Sequence, residues 1–220
     1  MKYKNETEGF NFIKQDEIDI KAAKKDKSSK KFWYSKHLQE LKNRIKNFHL
    51  EKQNKQCCYC RKNFHGEFSL VIDIEHILPS SKFPKFILNV DKNLSVACKR
   101  CNMLIKKDNT EFLTTTKSIY QIKKSPYKSK NYKIIHPNLD KYDDHIDYYC
   151  HITSSGKIIK YIIKSNSIKG EMTVEYFRLK ELEIDEINKL QGLHSSLSVT
   201  KKSDRSNQTR IDKIIMRSYN

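Results

Sequence analysis

Apolar positions in this chain fall into a few short periodic runs, separated by long polar and lysine-rich stretches. In FWYSKHLQELKNRIKNFHL (32–50), Leu38, Leu41, Ile45 and Phe48 recur at spacings of three and four. That period predicts an amphipathic helix with Trp33 and Tyr34 at its start and a core-facing stripe packed against the cysteine-rich segment that follows. The opposite face carries Lys36, Lys42, Arg44 and Lys46. Val71, Ile72, Ile74 and Ile77 are strand-type residues and Pro79 ends their run, so a strand is expected with Asp73, Glu75 and His76 where it turns. Farther on, a TSSG turn separates two runs that predict a hairpin, near 146–152 and 157–163. Val174, Phe177, Leu182, Ile187 and Leu190 suit one or two helices within 171–193.

The rest is mostly polar. Residues 1–31 are lysine-rich around a small apolar patch at Phe10, Phe12 and Ile13, and read as a solvated helix face or a loose arm. Residues 195–210 are rich in serine and charge and are expected to be mobile, and Ile211, Ile214, Ile215 and Met216 add a last apolar patch. Four regions result: a basic arm and helix (1–50), a core (51–112), an extension with a hairpin and helices (113–194) and a polar tail (195–220). The expected class is α+β.

Charge narrows the partner. The 220 residues hold 44 Lys and Arg against 26 Asp and Glu, a formal net charge of +18, which suits a polyanion. No apolar run approaches the ~20 residues that span a bilayer, and no signal peptide is visible at the N-terminus. The favoured polyanion is therefore nucleic acid rather than membrane. Free cysteines suit a reducing compartment, so a cytoplasmic location is expected. The stretch 123–133 interleaves Tyr127 and Tyr132 with Lys124, Lys128, Lys130 and Lys133, a pattern able to lie along a nucleic-acid strand.

The chemistry concentrates in 57–107. Cys57 and Cys60 form one C-x-x-C pair, Cys98 and Cys101 another. Two such knuckles brought together make a tetrahedral four-thiolate site, the closed geometry of structural zinc. Cys58 and Cys150 are spare thiols, although Cys58 can exchange with Cys57 in the assignment. Between the knuckles, Glu75 precedes His76. A carboxylate can hold a hard divalent cation and a neutral imidazole can take a proton from water near pH 7, which suits hydrolysis of a phosphodiester. Lys82 and Lys85 follow and fit phosphate clamps, with plain solubility an equal alternative. His65 is read as a surface residue. His136, Asp140, Asp144 and His145 cluster in sequence, but such residues beside Pro and Asn more often close turns than bind a second metal.

The order C-x-x-C, Glu-His-x-x-Pro, Asn-Leu-x-x-x-C-x-x-C-Asn resembles the HNH endonuclease family in its zinc-containing ββα-metal form. The resemblance implies that His76 is the general base and Glu75 an acidic metal ligand. It further implies that Asn93 steadies the catalytic loop, that Asn102 completes the metal site from the start of a helix, and that Lys106 or Lys107 faces phosphate. Two departures stand out. Glu replaces the more usual Asp before the histidine, so Asp73 competes for the ligand role, and Asn rather than His fills the last position. An oxygen-rich donor set favours magnesium or manganese there, with zinc kept for the cysteines. Downstream, HPNLDKYDDHI, a G-K-I strand and TVEYFRLKE are similar to an HNH branch that includes nuclease subunits of ATPase-linked antiphage defence systems such as Septu, some attached to retrons. The implied function is cleavage of DNA with little sequence preference, alongside a partner ATPase. The alternatives are an RNase, for instance a tRNA-cutting effector, and a zinc-ribbon nucleic-acid-binding module without catalysis.

Overall fold

In this computed structural model, Ile72–His76 (β1) pairs antiparallel with Leu94–Cys98 (β2), Ile72 opposite Cys98 and His76 opposite Leu94. The structure describes residues 9–29, 31–114, 119–154 and 156–185. The expectations for Ile187, Leu190 and 195–220 concern residues outside that set. The chain divides into two units. The first comprises Met1–Tyr149 with Ile159–Glu183, and the second Cys150–Ile158 with Ile184–Asn220.

In the first unit, helices Lys14–Lys25 (α1) and Gln39–Lys52 (α2) precede β1. The short helix Val90–Asn93 (α3) leads into β2, and a seven-residue π-helical segment, Arg100–Lys106, follows it. Helix Ile119–Lys124 (α4), a hairpin of Ile146–Thr153 (β3) and Gly156–Ile163 (β4), and helix Ile168–Tyr176 (α5) complete the described elements up to the two-residue strand Ile184–Asp185 (β5). The tip of the hairpin and β5 lie in the second unit. The class is mixed α and β with small hairpin sheets, and β3 and β4 fall close to where the turn signal put them. Among the described residues no helix is long and apolar enough to cross a membrane.

Successive strand residues point to opposite faces. On β1, Asp73 and Glu75 therefore face the Arg100–Lys106 segment, to which both are bonded, while Ile74 packs into the cluster under α2. That cluster joins Ala23, Leu38, Leu41, Ile45, Val90 and Leu94. The predicted stripe of α2 is thus core, but it covers the back of the β1–β2 pair rather than the knuckle. The helix also starts later than its periodicity suggests. Ser35 is fully buried and extended, and its hydroxyl donates to Asp26 and accepts from the His37 amide, so 32–38 winds as two short 3₁₀ turns instead.

The N-terminal segment is held to this layer. Asp16 pairs with Arg44 and caps the Ile13 amide, Arg44 lies over the Phe10 ring, and the Phe10 amide donates to Asp91 at 2.7 Å. A larger core surrounds the knuckles, with Tyr59, Val96, Phe112, Tyr132, Phe177 and Leu179 among its members. Arg100 fastens α5 to it by donating to the carbonyls of Phe177 and Arg178 at 2.8 and 3.1 Å, a favourable place for a cation because carbonyls crowd a helix C-terminus.

Candidate active site

The knuckles meet as their spacing predicts. Cys57, Cys60, Cys98 and Cys101 are buried, with ligand atoms all within 4.8 Å of one another. Arg61, at φ 57°, closes the first knuckle, and the Cys58 amide donates to the Val96 carbonyl, tying that knuckle to β2. Burial opposes ionisation of Cys57, yet hydrogen bonds from the neighbouring thiols hold it well below the ordinary thiol range. Four convergent, buried sulfurs fit zinc. Cys58 is buried but stands outside the set, and Cys150 is exposed.

The first knuckle also reaches Glu75. Tyr59, between Cys58 and Cys60, stacks on Phe177 with ring centroids 4.0 Å apart and donates its hydroxyl to Glu75 Oε1 at 2.9 Å. Lys106 Nζ lies 2.7 Å from the same oxygen and donates to the His76 carbonyl at 2.9 Å. All three side chains are buried. Burial pushes the Glu75 carboxyl above the usual carboxylate range, and Lys106 and Tyr59 pull it back. Its other oxygen, Oε2, is buried with no hydrogen-bond partner among the described residues.

His76 closes β1. Its Nε2 lies 3.2 Å from the Ile87 carbonyl, and the Trp33 ring meets it edge-on at 4.5 Å. The carbonyl can only accept, so Nε2 carries the proton and Nδ1 keeps its lone pair. Burial pushes this imidazole down to about 4, which keeps it neutral near pH 7. Asn93 fixes the loop beyond it. Asn93 Oδ1 accepts from the Leu78 amide at 2.8 Å, and Nδ2 donates to the carbonyls of Leu78 and Phe86 at 3.3 and 3.1 Å. Asn102 lies beside Asp73, donating to Oδ2 at 3.2 Å, while Lys99 pairs with Oδ1 at 3.0 Å. A cavity of about 330 Å³ opens here, with Glu75, His76, Asn102 and Lys107 in its wall and Trp33 and Tyr34 on one side.

The chain is 30% identical over 134 residues to the Septu protein PtuB of Bacillus thuringiensis. The match covers 61% of this chain and 40% of the relative, so the chain spans well under half of that protein's length. No protein-family model matches the chain, and no solved structure does.

The expected site residues thus separate into two groups. Glu75, His76 and Asn102 line one cavity, and Asn93 braces its loop. Asn102 bonds Asp73, however, while Glu75 bonds Lys106. Lys106, expected at phosphate, is instead fully buried because it answers the charge of Glu75. Lys107 is exposed at the cavity, with φ 52° and ψ −129°, a sparsely populated conformation of the kind that gathers at functional sites. Lys82 and Lys85 are exposed, outside the cavity wall.

The His136 cluster closes a turn. The His136 amide donates to Asp140 Oδ2, to which Lys169 is also paired, and the Asn138 amide donates to His136 Nδ1. His145 bonds Ser167 instead, and among the described residues only the four cysteines bring three or more His, Cys, Asp or Glu ligand atoms together. Sequence reasoning missed Trp33 as a contact of His76 and Tyr59 as a contact of Glu75. An aromatic between two knuckle cysteines was the available signal for Tyr59. Nothing local signalled Trp33.

Proposed function

We propose that this chain is a metal-dependent HNH-type endonuclease that hydrolyses phosphodiester bonds of DNA in antiphage defence, working with a partner ATPase. The observation that carries the reading is His76. It is neutral, with Nε2 committed to the Ile87 carbonyl and Nδ1 available, in a cavity it shares with Glu75 and Asn102. A general base needs a fixed lone pair beside the reacting water, and this arrangement supplies one. The order β1, β2, helix, with one cysteine pair ahead of β1 and the other at the junction of β2 and the helix, supports a ββα-metal core. The net charge of +18 supports a nucleic-acid substrate, and similarity to the Septu protein PtuB supports the defence role and the partner.

The donor set fits a hard divalent cation, since Glu75 Oε2 is a buried acceptor without a protein partner and Asp73 and Asn102 bring further oxygens. Glu75 and Asn102, with Asp73 beside the latter, would hold magnesium or manganese. Held there, such a cation would supply charge neutralisation at the phosphate. The chain's own residues do the rest. His76 Nδ1 takes the proton of the attacking water. Trp33 and Ile87 hold the ring, Asn93 holds the loop, and Lys107 meets the phosphate at the cavity mouth. Zinc held by the four cysteines would keep Tyr59, and through it Glu75, in place.

The test is a cleavage panel of supercoiled plasmid, linear duplex, single-stranded DNA and tRNA, each with magnesium, manganese or neither. Metal-dependent cutting of DNA is expected. Cutting of tRNA alone would make the chain an RNase. Metal-independent binding without cutting, by zinc-loaded chain supplied with its partner, would leave a zinc-ribbon binding module.

A further inference from the structure

We infer that Tyr34 and Met103 form a base-stacking clamp at the mouth of the His76 cavity, so that the site takes a strand whose base beside the scissile phosphate is unpaired. The inference rests on the nuclease reading and adds the form of the substrate to it.

Two segments far apart in sequence wall this cavity. Trp33 and Tyr34 arrive on the 3₁₀ turn ahead of α2, and Asn102 and Met103 on the segment after β2. Of their apolar groups, those of Tyr34 and Met103 are left largely open to solvent. The Tyr34 side belongs to a residue 72% exposed and Met103 to one 58% exposed, although Trp33 next to Tyr34 is held against His76. Among the described residues, no ring stacks on Tyr34. An exposed aromatic and an exposed thioether facing one cavity offer two polarizable surfaces, which suit a flat π-system.

The charges around them specify which flat π-system. Lys99 Nζ lies 3.6 Å from Met103 Sδ, and Lys107 stands in the wall in its strained conformation. Ammonium groups beside stacking surfaces, next to an imidazole base, match a nucleobase and its phosphate. A duplex keeps both faces of each base covered and would engage only the lysines. An unpaired or flipped base offers its face to Tyr34, and such stacking strengthens binding roughly tenfold to a hundredfold per base. DNA and RNA share this chemistry, so the test distinguishes them.

The chain's single tryptophan is Trp33, so selectively excited tryptophan fluorescence reports on this cavity. The experiment titrates the zinc-loaded chain without magnesium or manganese, which leaves the probe uncut and the Trp33–His76 contact intact, with short oligothymidylate, an abasic strand of equal length, oligouridylate and duplex. Oligothymidylate is expected to quench Trp33 and to bind roughly tenfold or more tighter than the abasic strand. Tyr34→Ala removes that advantage without touching the abasic affinity, and Tyr34→Phe keeps it. Equal affinity for thymidylate and abasic strands, or a Tyr34→Ala protein that still prefers bases, overturns the clamp. A preference for oligouridylate keeps the clamp and moves the substrate to RNA. Wild-type cleavage is scored separately. Cutting without any Tyr34 dependence sinks only the clamp, and stacking without cutting sinks only the nuclease reading.

Discussion

Replacing Lys106 with methionine keeps most of the length of the side chain and removes its ammonium from a fully buried site. The ammonium lies 2.7 Å from Glu75 Oε1 and 2.9 Å from the His76 carbonyl, so both lose a partner. Removing one member of a buried ion pair costs about 3–5 kcal/mol, because the remaining charge stays in low dielectric. The lower end applies here, since Tyr59 still donates to Glu75 at 2.9 Å. In a chain of this size about 3 kcal/mol corresponds to a Tm drop of roughly 6–12 °C. Thermal unfolding at fixed zinc concentration, followed by far-UV circular dichroism, reads this directly. The double variant Lys106→Met with Glu75→Gln removes both charges and should regain most of the loss, giving a coupling well above that of independent sites. A single variant losing under about 1 kcal/mol, or a double variant whose losses simply add, would refute the ion pair as the element that joins β1 to the Arg100–Lys106 segment.

Asn93→Ala strips the Leu78 amide and carbonyl of the Asn93 partner, while the Phe86 carbonyl keeps the Asn89 amide. A loss of about 2–4 kcal/mol in urea unfolding is expected, and Asn93→Asp should not rescue it, because a carboxylate cannot donate. Cys98→Ser should lose zinc and folded structure together, whereas Cys58→Ser should keep its zinc. Metal analysis giving the reverse would break the four-cysteine assignment. Burial pushes His136 down to about 3 and His49 down to about 4. The unfolded chain binds these protons near pH 6.5 and the folded one does not, so stability should fall as pH drops from about 6.5 toward 4. The urea midpoint, measured with excess zinc, should decline over that window and decline less in His49→Gln. A flat midpoint contradicts this.

What could be read in the sequence was short-range. Both knuckles, β1 with Glu75 and His76 at its end, and the β3–β4 hairpin depend on spacing and on turn residues close in the chain. The α2 stripe at Leu38, Leu41 and Ile45 was legible too, but not its target, because periodicity says which face is buried and not against what. Lys106 was misjudged for a physical reason. Lysines are rarely fully buried unless paired, and its partner lies on a strand about thirty residues earlier. The same distance hid Asp73 beside Asn102, since the π-helical geometry of Arg100–Lys106 decides which of its residues face β1. Trp33 against His76 required the fold itself, with an element from outside the core completing the cavity.

The central claim is that His76 acts as a base in this cavity, and chemical rescue tests it most directly. Cleavage would be timed for wild-type and zinc-loaded His76→Ala protein with magnesium, with and without added imidazole, in the presence of whatever partner wild-type cutting requires. The account predicts a loss of roughly a hundredfold to ten-thousandfold in the variant, with part of the rate returned by imidazole in proportion to its free-base concentration. A folded His76→Ala protein that cuts at the wild-type rate would contradict it and move the chemistry away from this cavity.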